Sequence, residues 1–250
     1  MNLGKVKNFL IILFLGINIY LILSMHYSTR FAVDKATRES CAELLGERGI
    51  SLDVSEIPEY TVNLNNIDTH NAVFMKSFIK KVNPQIKNNK FTFEIKDVNF
   101  SGSSSIKNYF KKLGFDTAYM NIVRKENADY IVCKTGNYRI FDNIIKITKN
   151  GRGYTAEGIW YEPSTNKVQS RSRTRNTVYI TSVLLDMTQN ESIMKNAPFE
   201  ITDISYGYLA GKAYGKASHV TSAALPYYRI KDNHGNVYYF DAQSGTYLEN

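Results

Sequence analysis

The stretch DYIVCKTGNYRIFDNIIKITKNGRGYTAEGIWYEP, residues 129–163, carries three strand signals in a row. Residues 129–134, 138–148 and 153–163 are rich in β-branched and aromatic side chains, which suit a pleated, half-buried surface. The turns between them, KTGN (134–137) and KNGRG (149–153), hold the glycines that tight hairpins need, because glycine reaches positive φ at no steric cost. An antiparallel meander follows, and a further strand over 167–174 completes it.

Working outward, the pattern alternates between helix and strand. Residues 31–48 repeat apolar positions at three- and four-residue spacing (Val33, Ala36, Cys41, Leu44, Leu45), and Gly49 marks the stop. Pro58 precedes an alternating strand over 60–64, and a second helix is predicted over 69–81 with Ala72, Val73, Phe74, Phe78 and Ile79 on its apolar face. KFTFEIKD (90–97) alternates as a strand, and a short helix over 106–113 ends at Gly114. Beyond residue 175, Tyr179, Val183, Leu184 and Met187 recur at helical spacing, and EITDISYGYLAG (200–211) reads as a strand. The chain closes on a hairpin with strands over 227–231 and 236–241, a turn at 232–235, and a last short strand from Gly245. The class is α+β, antiparallel sheet with packed helices, in two domains over 31–174 and 175–250.

Ahead of these domains lies FLIILFLGINIYLILSM, residues 9–25, an uncharged apolar run. As a helix its 17 residues span about 26 Å, close to the roughly 30 Å hydrocarbon core of a bilayer. A single transmembrane helix is predicted over 9–27. Lys5 and Lys7 precede it and Arg30 is the first charge after it, which places residues 1–8 in the cytoplasm and the bulk of the chain outside. A cleaved signal peptide shares these features, but the run exceeds a usual h-region and no A-x-A-like site follows, so an uncleaved anchor is expected. Asn18 is the polar residue inside the span. Its carboxamide needs a partner, either its own helix or a neighbouring transmembrane helix, and Gly16 would let a second backbone approach. Gly16 and Asn18 are the candidate helix–helix contacts.

The net charge is +8, and SRSRTR contributes Arg171, Arg173 and Arg175 at period two. On a strand these share a face, where they meet an anionic wall polymer or lipid, or simply protect an edge. An extracytoplasmic placement argues against nucleic acid. Cys41 and Cys133 either pair outside the cell or stay as buried thiols; both readings stand. The four histidines show no metal-ligand spacing, and GKAYGKAS (211–218) lacks the first glycine and the Ser/Thr of a phosphate loop. Ser103–Ser105 has no activating neighbour, and the pairs Asp53/Glu56 and Asp232/Asp241 lie at turns, as surface turn carboxylates do. Trp160 and the strand tyrosines are assigned to packing. No catalytic residue, metal or cofactor is expected.

Residues at both ends carry a resemblance. The short basic start, the single span with an Asn near its middle and ELLGERGISLDVSEIP (43–58; Gly49, Ile50, Ile57 and Pro58) are similar to the opening of the YycI regulatory proteins of Gram-positive bacteria. The C-terminal part matches better: Gly207–Tyr208, then LPYYRI (225–230), then VYYFDAQSG (237–245), with Tyr228 where that family has Trp. The hairpin also resembles PepSY-type domains. The resemblance implies a membrane protein with one N-terminal span and a two-domain extracytoplasmic region whose second domain is PepSY-like. It implies association with a YycH-like protein and with the WalK (YycG) sensor histidine kinase of a cell-wall two-component system, largely through transmembrane helices. The other function class considered is an anchored PepSY-like module that binds wall or occludes a hydrolase.

Overall fold

The computed structural model describes residues 13–19, 30–62, 64–125, 127–164, 177–210 and 221–249. Its class is α+β, a large, mostly antiparallel sheet with few helices. Residues 13–19 are helical, and no helix among the described residues is long and apolar enough to cross a membrane. Most of the predicted span, the strand expected over 167–174 and the three arginines at 171, 173 and 175 lie outside the described residues.

The chain groups into two compact units, Met1–Leu64 with Asn176–Glu200, and Asn65–Arg175 with Ile201–Asn250. This differs from a division at residue 174/175. The chain after 175 first supplies a helix to the first unit and then returns strands to the sheet of the second.

In the first unit, β1 (Arg30–Ala32) pairs antiparallel with β3 (Tyr60–Val62), and β2 (Ile50–Leu52) lies between them in sequence. The helix expected from residue 31 starts instead at Lys35, because residues 30–32 are held in that pairing and Asp34 caps the helix, accepting from Thr37 N at 2.7 Å. The Lys35–Glu47 helix buries Cys41 and Leu45 against the Ile180–Met187 helix, itself buried at Ile180, Val183, Leu184 and Met187. Apolar burial of this kind contributes about 1.5–3 kcal/mol per large side chain.

The second unit contains β4 (Ile67–Asn71), β5 (Gln85–Lys87), β6 (Lys90–Ile95), β7 (Met120–Lys125), β8 (Ala128–Thr135), β9 (Tyr138–Asn150), β10 (Gly153–Gly158), β11 (Tyr161–Pro163), most of β12 (Phe199–Leu209), β13 (Thr221–Asp232) and β14 (Val237–Asp241). Their order is β11–β4–β13–β12–β9–β10–β6–β5, with β14 beside β13 and β7 joined through β8 to β9. The pairing of β12 with β9 is parallel. The helices Lys76–Val82 and Ser103–Leu113 cover β6 through an aromatic core. Phe78 meets Phe91 and Phe115 edge-on, each at 5.1 Å between centroids, and Phe110 meets Phe115 at 5.3 Å.

Two segments differ from the sequence expectation for local reasons. Residues 69–81 are not one helix: Thr69 and Asn71 are buried in β4 between β11 and β13, and the Asn71 side chain accepts from Val73 N at 3.0 Å to open a separate turn. The segment 153–163 is not one strand either. A Cβ at Gly158 would fall 2.1 Å from the Ile144 carbonyl oxygen, so the chains meet there at a separation no other residue allows. The chain then leaves β9, and β11 pairs with β4.

The departure is held by Asn143, which is fully buried. Its Nδ2 donates to Tyr161 O at 2.6 Å and its Oδ1 accepts from Tyr161 N at 2.9 Å. Replacing Asn143 with Leu keeps the volume but strands both backbone groups of Tyr161. We expect a loss of about 2–4 kcal/mol, read as a lowered urea midpoint at unchanged slope.

Candidate functional site

The segments that carry the resemblance become neighbouring strands. In register, Ser205 of β12 faces Arg229 of β13, which faces Tyr239 of β14, and Gly207 faces Tyr227 on one side and Arg139 of β9 on the other. Strand alternation therefore separates two rows. On one face Tyr206 stacks near Tyr228 at 4.9 Å and meets Tyr138 edge-on at 6.0 Å. The other face holds Arg139, Phe141, Gly207, Arg229 and Tyr239.

Gly207 is glycine because of close approach, not because of φ. A Cβ there would lie 2.4 Å from Arg139 O and 2.8 Å from Cζ of the Phe141 ring. That clearance lets Phe141 lie across β12, where it packs with Leu209 and Tyr227 and meets Tyr239 at 5.9 Å. The Arg229 guanidinium sits 5.9 Å from the Phe141 ring centre, a cation–π distance. Its Nη1 donates to Asp203 Oδ2 at 2.7 Å, and Ser205 Oγ donates to the same oxygen at 3.1 Å.

Arg139 has no carboxylate partner among the described residues. It is half-buried, and its Nε finds no acceptor among the described residues. Burial, and then the neighbouring Arg229 charge, pull its guanidinium below the ordinary arginine value. Burial raises the Tyr239 hydroxyl, against the opposing pull of Arg229 and Arg139. The arrangement is a partly desolvated pair of cations with one carboxylate, suited to holding an anionic group. No protein-family model matches this chain, and no curated protein matches it.

The residues singled out from sequence fall elsewhere. Gly16 and Asn18 lie in the helical segment 13–19, whose side chains are exposed. Asn18 Nδ2 donates to Phe14 O at 3.0 Å, so the carboxamide is bonded within its own helix, and nothing lies within 4 Å of a Cβ built on Gly16. Two positions apart on a helix point about 200° apart, so the two residues do not share a contact face. Arg171, Arg173 and Arg175 lie outside the described residues.

Among the turn carboxylates, Asp53 accepts from Ser55 N and Asp241 from Gln243 N and Ser244 N, both local turn roles. Asp232 departs from the surface assignment: it is buried, and its carboxylate accepts from Asn236 N, Asn236 Nδ2 and the Tyr238 hydroxyl. Burial alone would raise that carboxyl, yet these hydrogen bonds outweigh it and hold it below the usual range. Trp160 is fully buried and so offers no stacking platform. A cleft of about 290 Å³ opens among Glu94, Lys96, Asp97, Arg152 and Tyr154, with Lys96 and Glu94 paired at 3.2 Å. Among the described residues no three His, Cys, Asp or Glu side chains gather as metal ligands.

Arg139, Phe141, Asp203 and Arg229 were not anticipated. The available signal is the repeated tripeptide Tyr-Arg-Ile at 138–140 and 228–230, which at strand period puts Tyr and Ile on one face and Arg on the other. Two outcomes follow from the electrostatics. Asp203→Asn, which removes a partly exposed ion pair, lowers Tm by about 2 °C, whereas Arg139→Gln, which removes an unpaired cation beside another, does not lower it. Differential scanning fluorimetry reads both.

Both thiols are free and buried, which resolves the open question of their pairing. Burial raises Cys41 to about 11 and raises Cys133 further. At pH 8 both remain protonated, so alkylation by iodoacetamide is slow in the native chain and complete only after denaturation, as counted by mass spectrometry.

Proposed function

We propose that this chain is a membrane-anchored, extracytoplasmic regulator of a cell-wall sensor histidine kinase of the WalK type, similar to YycI proteins. It acts through its N-terminal helix on the kinase and on a YycH-like partner. The observation that carries the reading is the state of residues 13–19. Leu13, Phe14, Leu15, Ile17 and Ile19 are all exposed, apolar on every side of the helix, with no charge in the flanking run. Such a surface is unfavourable in water and favourable in hydrocarbon. In this reading residues 9–27 are the transmembrane helix, Lys5 and Lys7 keep residues 1–8 in the cytoplasm, and both compact units lie outside at the cell membrane. A second support is that the Gly207–Tyr208, 225–230 and 237–245 segments pair as adjacent strands around Arg229, so the resembling residues form one structural feature.

The coupling works by population shift. An outer unit that engages a load or ligand biases the packing of the helix against the kinase, and the kinase responds between its two states. Gly16 and Asn18 face opposite ways, so in this reading they meet different neighbours, one the kinase and the other the YycH-like partner. Replacing residues 9–25 with an unrelated apolar span abolishes regulation of kinase autophosphorylation in reconstituted membranes, and only one of Gly16→Leu and Asn18→Leu reproduces that loss. Full regulation by a fragment covering residues 31–250 overturns the helix-contact reading and favours the wall-binding or inhibitor module.

A further inference from the structure

Two stretches of this chain concentrate basic residues. Residues 76–90 carry Lys76, Lys80, Lys81, Lys87 and Lys90 without one Asp or Glu, and residues 103–113 carry Lys107, Lys111 and Lys112, again without one. The fold brings the helices of the two stretches together. The Lys76–Val82 and Ser103–Leu113 helices pack against each other, Lys81 Nζ donates to Lys112 O, and a Cβ on Gly114 would touch Ser77.

Both helices turn their aromatic side to the sheet, at Phe78 and at Ile106, Phe110 and Leu113, which leaves the helix lysines (Lys76, Lys80, Lys81, Lys107, Lys111 and Lys112) on the outer side. Lys87 and Lys90 are register partners that alternate with Phe91, and so belong to the opposite face of the sheet. Only Lys90 has a carboxylate partner, Glu157 at 3.3 Å; the other seven have none within ion-pair distance among the described residues. Lys80, Lys81, Lys111 and Lys112 occupy last helical turns, where they oppose the helix dipole favourably. That account does not extend to Lys76, which opens its helix at the end where a cation is disfavoured, nor to Lys107. Within the same surface Ile79 is 37 % and Ile86 46 % exposed.

We infer that this two-helix face, with the β5 edge beside it, docks on the headgroup layer of an anionic bilayer. Lysines provide the attraction to phosphate near a charged leaflet. The exposed Ile79 and Ile86 decide between a bilayer and a soluble polyanion, since apolar side chains among lysines gain by entering the headgroup boundary and gain nothing from a hydrated polymer. The inference rests on the reading that the chain lives at a membrane, and it adds a second, reversible contact to the helical anchor.

The full chain, labelled with a fluorophore at Asn108→Cys, an exposed position of the Ser103–Leu113 helix, is reconstituted into nanodiscs containing nitroxide-headgroup lipid, either neutral or with about 30 % phosphatidylglycerol. Quenching at position 108 is expected to be about twofold greater in the anionic discs. It falls to the neutral level in about 0.5 M salt, and also in the variant K76Q/K80Q/K107Q/K111Q, which leaves the Lys81–Lys112 tie intact. Equal quenching in both lipids, with the chain incorporated, overturns the docking inference and leaves the anchor standing. Failure to co-elute with neutral discs overturns the anchor reading instead. Soluble polyphosphate provides the other arm: if it binds the I79S/I86S variant as tightly as the parent and abolishes quenching at equal charge concentration, the face serves a polymer and the bilayer inference falls.

Discussion

Two hydrogen bonds from one buried carboxamide hold the second unit in its form. Strand β9 keeps β8 as a neighbour along its length but changes its other partner, meeting β12 near residues 139–140 and β10 from residue 145 onward. The register against β8 slips at this change, between Val132 and Cys133. A slip in mid-sheet leaves backbone groups without ladder partners, and an unpaired buried group costs about as much as a lost hydrogen bond. Asn143 stands in the slip and presents to Tyr161 the donor and acceptor that a strand would have presented. It lets β11 leave β9 and join β4 at the end of the sheet order.

The same break shapes the arginine face. Because β9 pairs with β12 only over its first residues, Arg139 and Phe141 lie beside Gly207 rather than inside a continuous antiparallel ladder. Phe141 can cross β12 only where a side chain is missing, and Arg229 then finds an aromatic surface beneath it and Asp203 beside it. Arg139 is left with desolvation and a like charge beside it, opposed by Tyr239.

Much of the fold was legible because its signals are local. Alternation fixes β6 and β8, glycines at positive φ (Gly136 and Gly151 among them) fix the hairpins, and Gly114 ends its helix as read. What escaped is non-local. Nothing within residues 67–74 announces that Thr69 and Asn71 will be enclosed by β11 and β13, from more than 85 residues downstream. The β5–β6 turn at Asn88–Asn89, both at positive φ, carried a hairpin signal in its Asn pair that apolar periodicity alone does not report. The arginine face was invisible because it depends on which strands become neighbours, while the repeated Tyr-Arg-Ile states only which way each side chain points. The lysines of the two-helix face were in plain view as residues; their juxtaposition was not.

The discontinuity of both units governs the order in which the chain can mature. The Lys35–Glu47 helix is made early, yet the Ile180–Met187 helix that covers Cys41 and Leu45 arrives more than 130 residues later. The sheet is likewise incomplete until β12, β13 and β14 exist. At a synthesis rate of about 5–20 residues per second, the early helix waits roughly 7–27 seconds with its apolar side uncovered. Such a wait calls for an escort, so the yield of folded protein should respond to the supply of holdases more than to the thermodynamic stability of the finished fold.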